Sequence, residues 1–277
     1  MKRTDLAIDI TDNTGSSKTV KSKDGIRVTK IEISDDWGSK QLKRPKGTYY
    51  TIEFPALETV TDTSVISNEI IFALKSFFPD STDNFLIVGL GNREITSDSI
   101  GPLTAERILA SRHITDEFAE TIGLKGLKSV AALTPGVLGK TGIETAEIVK
   151  GIVNKIKPQA VIVIDALASS SIFRLFKTVQ ITDAGILPGS GVKNSRKELS
   201  EKTLGIPVIA IGVPTVMDAN EMAFELCNNK KPDSNIDMVI TPKDCDLLSQ
   251  KIGDILSMSL NLFLQPKIDR EVILSLV

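Results

Sequence analysis

At 277 residues, 41% hydrophobic and 25% charged, the chain has an ordinary globular composition and fits one large α/β domain or two small ones. A net charge of −2 with no long basic run excludes an electrostatic footprint for nucleic acid, and no apolar segment reaches the roughly 20 residues that span a bilayer. The opening MKRTDLAIDI carries Asp5 and Asp9 and no apolar run, which excludes a secretory signal, and Cys227 and Cys245 read as reduced core or boundary residues of a cytoplasmic protein.

Residues 11–47 are polar and turn-rich, with alternating strand-like runs at 26–33 (IRVTKIEI) and, just beyond, at 48–54 (TYYTIEF). This is a small N-terminal β-containing region, expected over 6–60 and joined in one compact unit to a main domain over 61–277. A helix is predicted at 65–78, where Val65, Ile66, Ile70, Ile71, Leu74 and Phe77 recur at helical spacing. From residue 85 short aliphatic strands appear at 85–90, 129–133, 160–164 and 207–212. Near-continuous apolar runs of this kind indicate strands covered on both faces, hence parallel ones. Helices are expected at 102–112 and 143–156, and a last long one with Thr241 as N-cap and Pro242 at its first position, stopped by Pro266. The predicted fold is a three-layer α/β/α domain with a mainly parallel central sheet plus the N-terminal β region. The one histidine, His113, falls near the end of the helix expected at 102–112, far from any nucleophile elbow. With two separated cysteines it does not make a common zinc site.

The stretch GLGNREITSDSIGP (89–102) has the strand–glycine–helix outline of a phosphate loop. A dinucleotide turn needs a third glycine where Glu94 stands, and no Lys-Ser/Thr pair supplies a P-loop. The alternative is a turn that presents side chains at the carboxyl edge of the sheet. Asp98 lies between the strand at 85–90 and the following helix, and Asp165 directly follows AVIVI. Ligands of open α/β sheets bind outside those strand ends. Two carboxylates brought together there divide their roles: one stays protonated and polarises a carbonyl, while the other takes a proton from water. Asp98 as a turn cap and Asp165 as a backbone-bonded strand end is the simpler structural alternative. Glycine-rich loops at 133–148 and 182–200, with GVPTVMDA at 212–219, resemble the walls of a cleft for an extended peptide. Asn92, Thr134, Gly136, Glu144, Gly189, Ser190 and Asp218 are its candidate lining.

Those stretches, with RTDLAID, VIDALAS, TLGIPVIAIGVPTVMDA and MVITPKDCD, resemble the germination protease family and span most of the chain. The resemblance implies an endopeptidase that degrades small acid-soluble spore proteins during germination, in the cytoplasm of the spore core. It also implies a fold like that of the hydrogenase-maturation endopeptidases, an aspartate pair at Asp98 and Asp165, and a homotetramer, with no cofactor, metal, membrane or direct nucleic-acid partner. The family is made as a self-processing zymogen cut between an acidic residue and a large hydrophobic residue followed by alanine. Asp5, Leu6 and Ala7 match that junction, which makes residues 1–5 the expected propeptide. The stretch MDANEMAFELCNNKKPDSNIDMVITP stands where the Bacillus type has a longer segment. From the residues alone, a narrow metal-assisted maturation endopeptidase and a non-catalytic α/β binding module remain open.

Overall fold

The computed structural model describes residues 4–9, 17–23, 25–187, 197–227 and 236–277. Among the described residues nine strands run in chain order: β1 Ser17–Lys23, β2 Ile26–Ile33, β3 Gly47–Glu53, β4 Asn84–Gly89, β5 Ser129–Leu133, β6 Ala160–Ser169, β7 Thr178–Thr182, β8 Val208–Asp218 and β9 Val239–Ile240. The helices are α1 Asp36–Leu42, α2 Ser64–Lys75, α3 Ile100–Ala105, α4 Asp116–Thr121, α5 Leu138–Thr141, α6 Thr145–Ile156, α7 Glu201–Leu204, α8 Ala219–Leu226, α9 Cys245–Leu264 and α10 Arg270–Leu276. None of them is long and apolar enough to cross a membrane.

All the described strands join one sheet, ordered β1-β2-β3-β7-β8-β6-β4-β5, with β9 added to β8. The pairs β5–β4, β4–β6 and β6–β8 are parallel. Those of β1–β2, β2–β3, β3–β7, β7–β8 and β8–β9 are antiparallel. The sheet is therefore mixed and mainly antiparallel, which corrects the mainly parallel sheet that the aliphatic runs imply. The cause is β7. Its five residues, TVQIT, carry no aliphatic run, yet they pair with β3 on one side and β8 on the other and so join the N-terminal meander to the parallel half.

Alternation along the central strands divides the core into two layers. Ile162 and Ile164 of β6 and Ile209 and Ile211 of β8 point towards α2, α3 and α9, where Ile70, Leu74, Ile252, Leu256 and Leu260 are buried. Val161, Val163 and Val208 point to the opposite face, against Val149 and Val153 of α6. Each such fully buried side chain contributes about 1.5–3 kcal/mol through apolar burial. Further along that second face, Ile31, Ile33, Leu42, Tyr49 and Ala184 close around Ala7.

Several boundaries differ from expectation for local reasons. Thr241 does not cap the last helix: its hydroxyl donates to the Thr215 carbonyl at 2.8 Å, pinning the exit from β9 to β8, and α9 begins at Cys245. Helix α3 ends at Ala105, because Leu109 N–H turns to Asn261 Oδ1 at 2.9 Å and Arg112 N–H to the Val130 carbonyl at 2.9 Å. His113 therefore stands in an exposed turn. Strands β6 and β8 continue together to Ser169 and Met217, well past 164 and 212, through a bulge at Leu167/Ala168. Both cysteines are free, Cys227 exposed and Cys245 buried.

Helix α3 lies directly on the sheet backbone. A Cβ on Gly101 would stand 2.1 Å from the Leu90 carbonyl oxygen and 2.6 Å from that of Ile164, and one on Gly89 would stand 2.2 Å from the Gly101 carbonyl oxygen. Gly101→Ala is expected to cost about 3 kcal/mol or more in urea unfolding. Gly151→Ala, in the exposed middle of α6 where an added Cβ meets nothing within 4 Å, is expected to stabilise by about 0.5–1 kcal/mol. Equal effects at the two glycines would contradict this packing.

Candidate functional site

The first half of the site is the turn between β4 and α3. Leu90 N–H donates to the Ile164 carbonyl at 2.8 Å, after which the chain leaves β4 through Gly91 at φ +110°. Only glycine fits there, since a Cβ would stand 2.1 Å from the Asp98 carbonyl oxygen. The chain then makes a 3-10 turn over Thr96–Asp98. Asp98 closes the loop on itself: its Oδ2 accepts from Asn92 N–H at 2.8 Å, and its own N–H donates to the Ile95 carbonyl at 2.8 Å. Two hydroxyls hold the turn from outside. Thr215 of β8 donates to the Ser97 carbonyl at 2.6 Å and Ser249 of α9 to the Thr96 carbonyl at 3.0 Å. Asn92 and Asp98 are half-buried in this turn, which packs on β6 and β8.

The second half is β6 itself. Pairing with β4 ends at Gly89 opposite Ile164, so Asp165 is the first residue of β6 clear of that neighbour, next in sequence to the residue that binds Leu90. Asp165 is only 4% exposed, and its Oδ1 accepts from Ala166 N–H at 3.0 Å. On its other side Asp165 stands opposite Gly212 of β8, which in turn stands opposite Gln180 of β7. Residues in one lateral row share a face. Asp165, Gly212 and Gln180 thus make a row whose middle place has no side chain, and Leu167 leans over it, 2.2 Å from where a Gly212 Cβ would be.

The N-terminal segment lies on this same face. Asp5 N–H donates to the Ala168 carbonyl at 2.9 Å, and Ala168 N–H donates back to Asp5 Oδ2 at 2.8 Å. Leu6 is completely buried, and the N–H of Ala7 donates to Gln180 Oε1 at 2.7 Å. Gln180 Nε2 donates to the Asp5 carbonyl at 3.3 Å, and the Arg44 guanidinium to that of Thr4. Two residues on, the buried Asp9 carboxylate pairs with Arg174 and accepts from Ser170 N–H at 2.9 Å. A cavity of about 170 Å³ remains beside the segment, lined in part by Asp5, Arg44, Leu167, Gln180, Leu187 and Gly212.

The other candidates are distributed around this centre. Thr134, Gly136 and Glu144 occupy the loop after β5, beside the Asn92–Asp98 turn, and the two loops are joined by a Lys140–Glu94 ion pair at 2.6 Å. Glu144 is the N-cap residue of α6. Asp218 ends β8 and caps α8, its Oδ1 accepting from Asn220 N–H at 2.9 Å. It lies six residues beyond Gly212, roughly 20 Å along the strand. Gly189 and Ser190 lie outside the described residues. Gln180, Ala168, Arg44 and Arg174 escape a reading of the sequence, because the strand bearing Gln180 has no aliphatic signature and the others act through backbone groups or distant ion pairs. Among the described residues no group of three or more His, Cys, Asp or Glu side chains gathers where a metal ion would sit.

The family model described as germination protease matches residues 4–228, a stretch that includes Asp5, Leu6, Asp98 and Asp165. The chain belongs to the germination protease family. It is an endopeptidase acting on spore proteins during germination. A germination protease of Clostridium acetobutylicum is 35% identical over 96% of both chains, and one of Caldanaerobacter subterraneus is 40% identical over 95% of this chain and 94% of its own. The Oceanobacillus iheyensis germination protease is 44% identical, but the match takes in 78% of this chain and 64% of that one. Among solved structures, a nickel–iron hydrogenase maturation protease from Thermococcus kodakarensis is similar at a TM-score of 0.39 and 17% identity, covering 68% of this chain and 98% of that one. That likeness is too slight to bear on the site.

Beside the cleft of this germination protease, burial alters two ionisable groups. The Tyr49 hydroxyl, which donates to the Pro45 carbonyl at 2.8 Å, is pushed above the usual phenol range by desolvation. Desolvation likewise raises the Asp183 carboxyl, although Thr48 N–H donates to it at 2.7 Å and opposes the shift. A carboxyl raised by folding contributes stability that is whole below its unfolded pKa and is lost as pH rises through its folded one. Asp183→Asn keeps an acceptor for Thr48 and removes the titration. Urea midpoints are therefore expected to favour Asp183→Asn over wild type near pH 7, with the difference gone near about pH 3. A difference that persists at low pH would contradict the assignment.

Proposed function

We propose that Asp98 and Asp165 are the acid pair of this endopeptidase. In this reading it cleaves small acid-soluble spore proteins after an acidic residue and before a hydrophobic residue followed by alanine, and it removes its own residues 1–5 at the Asp5–Leu6 bond. The observation that carries the proposal is their common position. The turn holding Asp98 is bonded to the strand end next to Asp165, and the Asp5–Leu6 segment is bonded to Ala168 on Asp165's own strand.

One carboxylate takes a proton from water as the water oxygen attacks the peptide carbonyl, while the protonated partner gives its proton to the carbonyl oxygen. The tetrahedral intermediate then collapses. Its carbon–nitrogen bond breaks, the leaving nitrogen receives the proton taken from water, and the carbonyl oxygen returns its own. The pair titrates as a unit, so acid and base are roles of the dyad rather than fixed labels. The route requires no metal or cofactor. The family resemblance further supports a homotetramer acting in the cytoplasm of the spore core, which sedimentation velocity tests directly.

The chemistry is tested with protein beginning at Leu6, mixed with a small acid-soluble spore protein and followed by mass spectrometry. Asp98→Asn and Asp165→Asn are each expected to lower kcat by about 10²-fold or more with the fold intact, and a chelator is expected to change nothing. Activity that a chelator abolishes and added metal restores would make these residues metal ligands and favour the maturation-type endopeptidase. Full activity in either variant would refute the acid pair.

A further inference from the structure

We infer that Gln180 is the oxyanion donor and backbone clamp for the bond the chain cuts in itself. The inference rests on the reading of Asp5–Leu6 as the self-cleavage junction. In that reading the Asp5 carbonyl is the group attacked by water, and it receives a hydrogen bond from Gln180 Nε2 at 3.3 Å. The other end of the same carboxamide, Oε1, accepts from the N–H of Ala7 at 2.7 Å. One planar group thus holds the peptide on both sides of Leu6, the residue that follows the scissile bond.

The surroundings fit this task. Gln180 is 5% exposed with the segment in place, so both ends of its amide are desolvated and strongly favour being paired. It lies in one row with Gly212 and Asp165. At the usual strand spacing of about 4.8 Å, the Cα atoms of Asp165 and Gln180 are roughly 10 Å apart. With no side chain at Gly212, Leu167 covers the middle of the row, and the acid and the amide donor stand on either side of it. The remaining contacts fix the register. Ala168 N–H holds the Asp5 carboxylate, Leu6 is buried, and the Arg44 guanidinium holds the Thr4 carbonyl.

As water attacks, partial negative charge builds on the Asp5 carbonyl oxygen ahead of the proton it receives from the acid pair, and a preorganised N–H donor gains strength with that charge. Gln180 takes and gives no proton. It lowers the barrier to the step carried out by the acid pair, and its acceptor end keeps the Ala7 side of the peptide from turning away.

The test follows the full chain from Met1 as it loses residues 1–5, timing the appearance of the Leu6 terminus by mass spectrometry across a range of pH. Thermal melting checks the fold of each variant. Gln180→Ala is expected to slow processing by about 10²–10³-fold, the usual effect of removing one oxyanion donor. Gln180→Glu keeps the acceptor but presents a carboxylate to the Asp5 carbonyl near neutrality. Its rate relative to wild type is expected to recover as pH falls, where the side chain becomes protonated and regains a donor; burial at this position shifts that recovery above the range of a free carboxyl. Wild-type rates in Gln180→Ala, or a Gln180→Glu defect that does not change with pH, would overturn the role of Gln180 and leave the junction and acid pair untouched. A wild-type chain that is cut elsewhere would overturn both.

Discussion

The contact of α3 with the sheet is the constraint from which the rest of the site follows. Gly89 and Gly101 let the helix backbone touch the ends of β4 and β6, with no room for a Cβ on either. That contact fixes how far the β4–α3 connection can travel and so places the turn carrying Asp98 over the strand carrying Asp165. The Thr215 and Ser249 hydroxyls then hold the turn from two further elements. Dense packing makes such a site rigid: a displaced turn would have to break backbone bonds, not merely rotate a side chain.

The antiparallel half of the sheet supplies what a purely parallel sheet would lack. Strand β7 brings Gln180 into the row of Asp165 and Gly212, and β3 behind it brings Tyr49 beneath the N-terminal segment. That segment is anchored beyond Ala168, at the far end of β6, by the buried Asp9–Arg174 ion pair. Burying a charge pair yields little net stability but makes loss of one partner costly, which suits a device for holding a peptide in one register. The segment is therefore presented as a bound substrate would be, with backbone donors and acceptors paired and one apolar side chain enclosed.

How much was legible in the sequence depends on how each element stabilises itself. The first halves of β4, β6 and β8 are buried on both faces, and their aliphatic runs disclose them. The strand-end argument then leads directly to Asp98 and Asp165. Strand β1 lies within a run of lysines and serines and is held by pairing with the adjacent β2, while β7, in TVQIT, owes its existence to pairing with strands far away in sequence, which no local pattern records. Gln180 was hidden for that reason. The start of α9 was misplaced because Thr241, an excellent cap by type, is used in a tertiary bond to Thr215. Asp218, read as a loop residue, ends a strand that pairing with β6 and β9 carries past its aliphatic part.

The central claim is that the segment lying on Asp165's strand is cut by the acid pair of its own chain. The most direct test mixes unlabelled wild-type chain with isotopically heavy Asp165→Asn chain, both from Met1, and follows each mass through processing. The expected result is that only the unlabelled chain acquires a Leu6 terminus while the heavy chain stays whole. Equal processing of both would mean that the bond is cut by another molecule, and that the seated segment is a resting place rather than a substrate.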